Sequence, residues 1–285
     1  MVTLPRPDDS PSSMLVIGCG NMGAAMIRAA EAAFPTTKVV ALDPDPAKAR
    51  RLLPAATSTR LLAEAAELAD EIFEVAIVAV KPQHVHASLV QAGRNLKGAL
   101  IISIAAGVSL SALSQAAPPN ARTLRAMPNL PATVQAAMTL GCCGERRISE
   151  RDRRTVARIF EAMGRFRWLK SEDEIDAATA ISGSGPGYVF AFAEQLANSA
   201  VMLGLPDELA QELARQTVVG AARMLEADPR SASELKRAVT SPGGTTAAAL
   251  SVLERDEGLP KCLPEAALAA LGRARELATI NGSDQ

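Results

Sequence analysis

The run Gly18-Cys19-Gly20-Asn21-Met22-Gly23 constrains this chain more than any other, because of what stands on either side of it. Before it lies a short apolar stretch, Met14 to Ile17, and after it an alanine-rich segment from Ala24 to about Phe34. The order is strand, glycine turn, helix. Glycines at this spacing give a tight turn, a close approach of backbone to pyrophosphate, and close packing of helix on strand. The first N–H groups of the helix lack internal partners and favour an anion. A second apolar run, Lys38 to Leu42, ends on Asp43, 20 residues beyond Gly23, where a dinucleotide-binding unit carries the acid for its ribose hydroxyls. Gly18 to Gly23 and Asp43 are therefore read as a dinucleotide site.

Further unbroken apolar runs, Val75 to Val80 and Leu100 to Ile104, have the composition of parallel strands covered on both faces. In open α/β sheets ligands sit beyond the carboxyl ends of strands. The ends here are Ala79-Val80-Lys81-Pro82 and Ala105-Ala106-Gly107, small residues and a lysine that suit a cofactor crevice. Lys81 reads equally well as a solvated strand-end lysine. Arg122 to Ala126, Met138 to Cys142 and Phe166 to Leu169 are the last expected strands. A helix capped by Ser149 runs to about Met163, with Gly164 as its stop. Past Ser171 only helical segments follow: Tyr188 to Leu203, Pro206 to Glu226, Ala232 to Val239, Thr245 to Glu254 and Pro264 to Ile280. The expected fold is α/β, a Rossmann-type doubly wound parallel sheet over 13–170, followed by an all-helical dimerisation domain over 171–285. Residues 1–12, rich in Pro, Asp and Ser, read as a disordered tail. The second-half helices are apolar on more than one side, which an intertwined homodimer would cover.

With 285 residues, two domains are the natural division. Thirty basic residues against 31 acidic, one Trp and one Tyr provide neither a basic face nor stacking platforms for nucleic acid. No apolar stretch approaches the roughly 20 residues that span a bilayer. Cys19, Cys142, Cys143 and Cys262 lack zinc-site spacing and read as reduced thiols of a cytosolic chain. The only histidines, His84 and His86, have no third ligand nearby in sequence, so no metal is expected.

Two further glycine turns stand at helix starts. Ser182-Gly183-Ser184-Gly185-Pro186-Gly187 precedes Tyr188; as a flexible linker it would be oddly placed, between helical segments, and packing against a nicotinamide suits it better. Thr240-Ser241-Pro242-Gly243-Gly244-Thr245-Thr246 feeds a helix, and its free N–H groups and hydroxyls form either a simple cap or a cradle for a small anion. Oxidation of an alcohol would call for a general base, yet Tyr188 to Leu205 contains no Lys, Arg or His. Reduction of an imine asks less, since a protonated C=N already accepts hydride and the site needs only to orient it.

On Ile17 to Gly23, Ala79 to Gln83, Met127-Pro128-Asn129, Ser182 to Tyr188 and Val239 to Thr246, the chain from Met14 onward resembles the pyrroline-5-carboxylate reductases. The resemblance implies reduction of 1-pyrroline-5-carboxylate to L-proline with NADH or NADPH, by a homodimer or higher homo-oligomer. It implies that Gly18 to Gly23, Ala79, Val80, Lys81, Pro82 and Ala106 hold the dinucleotide, with Pro186 near the nicotinamide. Ser241, Gly243, Gly244, Thr245 and Thr246 would receive the substrate, with the Thr246 hydroxyl on the ring nitrogen as the catalytic contact and Glu172 nearby. Gly187 stands where the family usually has alanine, and Thr57 to Ala69 lacks an asparagine that members often set against the cofactor ribose. Asp43 would repel a 2′-phosphate, while Lys48, Arg50 and Arg51 offer it cations, so both dinucleotides stay open. Other cyclic imino acids, and a non-catalytic dinucleotide-binding regulator, are the alternative readings.

Overall fold

The structure is a computed structural model that describes residues 10–144 and 148–283, without the side chains of 278–283. The chain divides into two units, one running to Gly183 and taking in the last helix from Leu271, the other Ser184–Ala270.

The first unit is built on eight strands: β1 (Ser13–Ile17), β2 (Lys38–Leu42), β3 (Arg60–Leu62), β4 (Val75–Val78), β5 (Leu100–Ser103), β6 (Arg122–Met127), β7 (Ala137–Cys143) and β8 (Gly164–Trp168). They lie in the order β3-β2-β1-β4-β5-β6-β7-β8, all parallel to their neighbours except for the antiparallel β6–β7 pair. Six helices accompany them: α1 (Asn21–Ala33), α2 (Pro46–Leu52), α3 (Val85–Ala92), α4 (Leu110–Ala116), α5 (Glu150–Glu161) and α6 (Glu172–Ala178).

The apolar runs form strands because both faces of the sheet are covered. Along β1, Met14 and Val16 join one core with Met26 and Ile27 of α1 and Ile159 and Phe160 of α5, while Leu15 and Ile17 join the opposite core with Leu89 of α3 and Leu113 of α4. Successive side chains of a strand point to opposite faces, so one unbroken run feeds two cores. Met14, Leu15 and Ile77 are fully buried, each worth roughly 1.5–3 kcal/mol of transfer free energy.

Expected and observed elements differ at several points, and β3 and α2 to α4 are additional to those expected. The sheet unit extends to Gly183, past the boundary expected at 170, because Ile175 of α6 packs with Leu110 and Cys142. Pro11 and Ser12, read as tail, are tied down: the Thr37 hydroxyl donates to the Pro11 carbonyl at 2.6 Å and the Lys38 N–H to that of Ser12 at 3.1 Å. Residues 1–9 lie outside the described part. Gly164 does not stop α5 but opens β8 at φ +143, where a Cβ would run into the Ala137 backbone. The last helix starts at Leu259 and carries Pro264 inside it, five residues before the start expected from the sequence.

The second unit is helical, with α7 (Gly185–Met202), α8 (Asp207–Ala227), α9 (Ala232–Ala238), α10 (Thr245–Leu253) and the part of α11 (Leu259–Ser283) up to Ala270. α7 and α8 pack together through a turn at Gly204, φ +90. Phe190, Phe192, Met202, Leu203, Leu213 and Leu225 remain exposed on these two helices.

Candidate active site

In the first unit the chain reverses its direction of winding between β1 and β4, and the glycine turn leaves the carboxyl end of β1 at that switch point. The Gly18 N–H donates to the Leu42 carbonyl at 2.8 Å, and the Ala79 N–H to that of Ile17 at 2.8 Å, so turn and neighbouring strand ends are held in register. Gly18 has φ +93, and a Cβ there would stand 2.8 Å from the Ala79 carbonyl oxygen and 2.9 Å from Val80 Cγ1. A Cβ on Gly23 would overlap the Gly18 carbonyl oxygen, whereas one on Gly20 would meet open space. Gly20 is the N-cap of α1, with no capping side chain and no acid in the first turn, where Asn21 and Met22 lie. That leaves the positive end of a 13-residue helix open to an anion. This bare, glycine-lined helix start fits the pyrophosphate of a dinucleotide.

Asp43 closes the same turn. Its Oδ2 accepts the Cys19 N–H at 2.8 Å and its Oδ1 the Asp45 N–H at 3.0 Å. Cys19 is buried, and burial followed by the Asp43 charge pushes its thiol up to about 11, so it is neutral at physiological pH. Exposed Lys81 and half-buried Pro82 follow β4, and exposed Ala106 follows β5, the adjacent strand. The structure thus brings Gly18 to Gly23, Asp43, Ala79 and Val80 around one turn, with Lys81, Pro82 and Ala106 on the neighbouring strand ends.

In the second unit, Ser241 to Thr246 form a single turn. The Gly244 N–H donates to the Ser241 carbonyl at 3.0 Å, Gly243 sits at φ +70, and a Cβ on Gly244 would overlap the Ser241 hydroxyl. Gly244 is the N-cap of α10, again without a capping side chain or first-turn acid. The hydroxyl-bearing Thr245 and Thr246 are the first two residues of that helix, whose first-turn N–H groups have no intrahelical acceptor. Pro186 is the second residue of α7.

Glu172 lies in the first unit. Its Oε1 accepts the Leu110 N–H at 2.8 Å and Arg125 Nη1 at 3.1 Å, while Arg125 Nη2 donates to Asp176 at 2.6 Å. These bonds hold buried Arg125 and the start of α4. Asn129 has a role that its sequence motif does not show. Its amide donates to the Ser182 carbonyl at 2.8 Å and its Oδ1 accepts the Met138 N–H at 3.1 Å, fixing the π-helical turn Thr179–Gly183 against the β6–β7 loop. An asparagine directly after a proline beside a strand end was the available signal for it.

A doubly wound sheet with a bare glycine turn at its switch point, and an acid directly after β2, is the arrangement of dinucleotide-binding proteins, the nicotinamide-dependent oxidoreductases among them. Comparison with known proteins narrows the class. A family model described as pyrroline-5-carboxylate reductase dimerisation matches residues 172–277, and one described as NADP oxidoreductase, coenzyme F420-dependent, matches 13–107. The pyrroline-5-carboxylate reductase of a Synechocystis strain is 38% identical, over 92% of this chain and 97% of its own. A solved pyrroline-5-carboxylate reductase from Coxiella burnetii superposes with TM-score 0.84 at 31% identity, over 94% of this chain and 99% of that one. Another from Plasmodium falciparum, solved with NADP bound, gives TM-score 0.77 at 28% identity, over 93% and 98%. The chain belongs to the pyrroline-5-carboxylate reductase family.

Proposed function

We propose that this chain reduces 1-pyrroline-5-carboxylate to L-proline at the expense of NADH or NADPH, the last step of proline synthesis. Family membership sets the class, and the uncapped Ser241–Thr246 turn is the observation that carries the substrate assignment. A cyclic imino acid presents a small carboxylate next to a basic nitrogen, and this turn offers first-turn N–H groups beside three hydroxyls. The carboxylate lies on those N–H groups and the Ser241 hydroxyl, and the Thr246 hydroxyl bonds the ring nitrogen.

The bound dinucleotide supplies the hydride. Gly18 to Gly23 hold its pyrophosphate and Asp43 its adenosine ribose, with Ala79, Val80, Lys81, Pro82, Ala106 and Pro186 along it. Addition of hydride to the carbon of a protonated C=N moves the π pair onto nitrogen and leaves a neutral ring amine, which takes its next proton from water. No protein base is required, in keeping with the absence of Lys, Arg and His from Tyr188 to Leu205. The protein's share is orientation, which accounts for rigid turns in place of titrating groups.

The exposed apolar residues of α7 and α8 are taken to be covered by a second copy, in accord with the dimerisation model that spans them. Light scattering should give at least twice the chain mass. The four free cysteines, three of them at least half-buried, suit a reducing cytosolic setting. No helix among the described residues is long and apolar enough to cross a membrane. The direct test of the activity is to incubate purified protein with reduced dinucleotide and either the five- or the six-membered cyclic imino acid, and identify the product by mass. Proline from the five-membered ring is expected; a clear preference for the six-membered ring, or no product, would refute the assignment.

A further inference from the structure

We propose that this enzyme discriminates in favour of NADH, and that Asp43 is the residue responsible. The inference rests on reading the β1–α1 turn as the dinucleotide site and adds which dinucleotide it takes.

Asp43 directly follows β2, where the adenosine ribose of a dinucleotide is bound in sheets of this kind. Its carboxylate is not free to swing away. One oxygen is held by the Cys19 N–H and the other by the Asp45 N–H, and the strand end itself is pinned by a bond of 3.0 Å from the Asp43 N–H to the Leu62 carbonyl. The loop beyond reads Asp43-Pro44-Asp45-Pro46, and two prolines with fixed φ restrict it further. Each carboxylate oxygen keeps one lone pair after its backbone bond. Two fixed acceptors match the two hydroxyl donors of an unmodified ribose. A 2′-phosphate has acceptors where those donors would be, and sets a further negative charge against a carboxylate that cannot move.

A phosphate site would need cations turned towards it, and each of the three arginines near this loop bonds a backbone carbonyl away from Asp43. Arg50 donates to the Thr59 carbonyl, Arg51 to that of Ala47 and Arg28 to that of Leu52. The Arg28 and Arg50 charges do reach the Cys19 thiol, but they act less on it than Asp43 does. Lys48 is exposed in the first turn of α2, where its own N–H donates to the second loop carboxylate, Asp45, at 2.9 Å. The loop therefore presents two carboxylates, and its guanidinium groups bond backbone carbonyls.

The test is binding to the purified wild-type protein without substrate, measured by titration calorimetry with NADH and NADPH in turn, then with Asp43→Asn. We expect NADH to bind about tenfold or more tighter than NADPH at low salt, with the gap narrowing as ionic strength rises. Asp43→Asn keeps the shape and one acceptor, so it should bring the two affinities to within about threefold by tightening NADPH. Equal or tighter binding of NADPH by the wild type would overturn the inference while leaving the site reading intact. Failure of both dinucleotides to bind would remove the site reading itself. The wild-type ratio decides even if the variant fails to fold.

Discussion

Gly20 and Gly23 stand three residues apart in one turn and are glycine for different reasons, which substitution should separate. A methyl on Gly23 collides with the Gly18 carbonyl, a backbone atom that cannot give way without opening the turn. Gly23→Ala should therefore lower stability by about 1–3 kcal/mol, the usual cost of overpacking, and abolish dinucleotide binding. A methyl on Gly20 meets no protein atom, so Gly20→Ala should melt like the wild type and still bind dinucleotide less tightly, because the space it fills is the ligand's. Thermal melts and calorimetry on the two variants check the contrast. Gly187 behaves differently again: it lies in the first turn of α7 with open space around its missing Cβ. Gly187→Ala should raise stability by up to about 1 kcal/mol, visible as a small rise in Tm. The sequence made the glycine motif and its strand-helix setting legible, since spacing alone encodes them. What Glu172 does was not legible, because a carboxylate at a helix start looks the same whether it faces a ligand or a buried arginine 47 positions earlier.

At the scale of elements, two arginines of β6 tie helices to it. Asp152 joins the capping box of α5 with Ser149 and accepts Arg122 at 2.9 and 3.0 Å. Burial alone would raise its carboxyl, but the Arg122 and Ser149 bonds together hold it below the ordinary 3.8. A depressed folded-state value means stability that is present above 3.8 and lost as pH falls through the lower folded value. Asp152→Asn should thus be less stable than wild type at neutral pH, by about 1 kcal/mol for the cap, and the difference should close in acid. Melting both proteins across that range reads it directly. Arg125 is a stronger tie, being itself buried and joined to Glu172 and Asp176 of α6. Arg125→Gln leaves Asp176 without its cation, and urea titration should show a loss of about 3–5 kcal/mol. Strands β1, β2, β4 and β5 were legible because each is an apolar run of the right length. The short edge strand β3 and helices α2 to α4 were not picked out, since three to eight residues carry little periodicity. The allegiance of α6 to the sheet depends on Arg125, whose partners lie far along the chain.

For the molecule as a whole, the residues proposed for dinucleotide, Pro186 apart, fall in the first unit of the chain and the Ser241–Thr246 turn proposed for substrate in the second. Arrangement of that kind is legible in sequence only as two glycine turns at helix starts, one near each end. The helical half was legible as helices, and its exposed apolar faces as a surface wanting a partner, because the apolar residues of α7 and α8 outnumber those that the unit buries. The sheet unit runs past the 170/171 boundary to Gly183, although the dimerisation family model begins at residue 172, because nothing in a local window shows which unit a connecting helix packs on. The central claim is a division of roles, with the β1–α1 turn holding the dinucleotide and the Thr246 hydroxyl acting on the substrate nitrogen. Its most direct measurement is the rate of oxidation of reduced dinucleotide on adding 1-pyrroline-5-carboxylate to wild type and to Thr246→Ala, both saturated with dinucleotide. The account predicts turnover by wild type and a loss of roughly ten- to a hundredfold in the variant, the worth of one hydrogen bond to a charged group, with dinucleotide affinity unchanged. A variant as fast as wild type, or a wild type that oxidises neither dinucleotide, would contradict it.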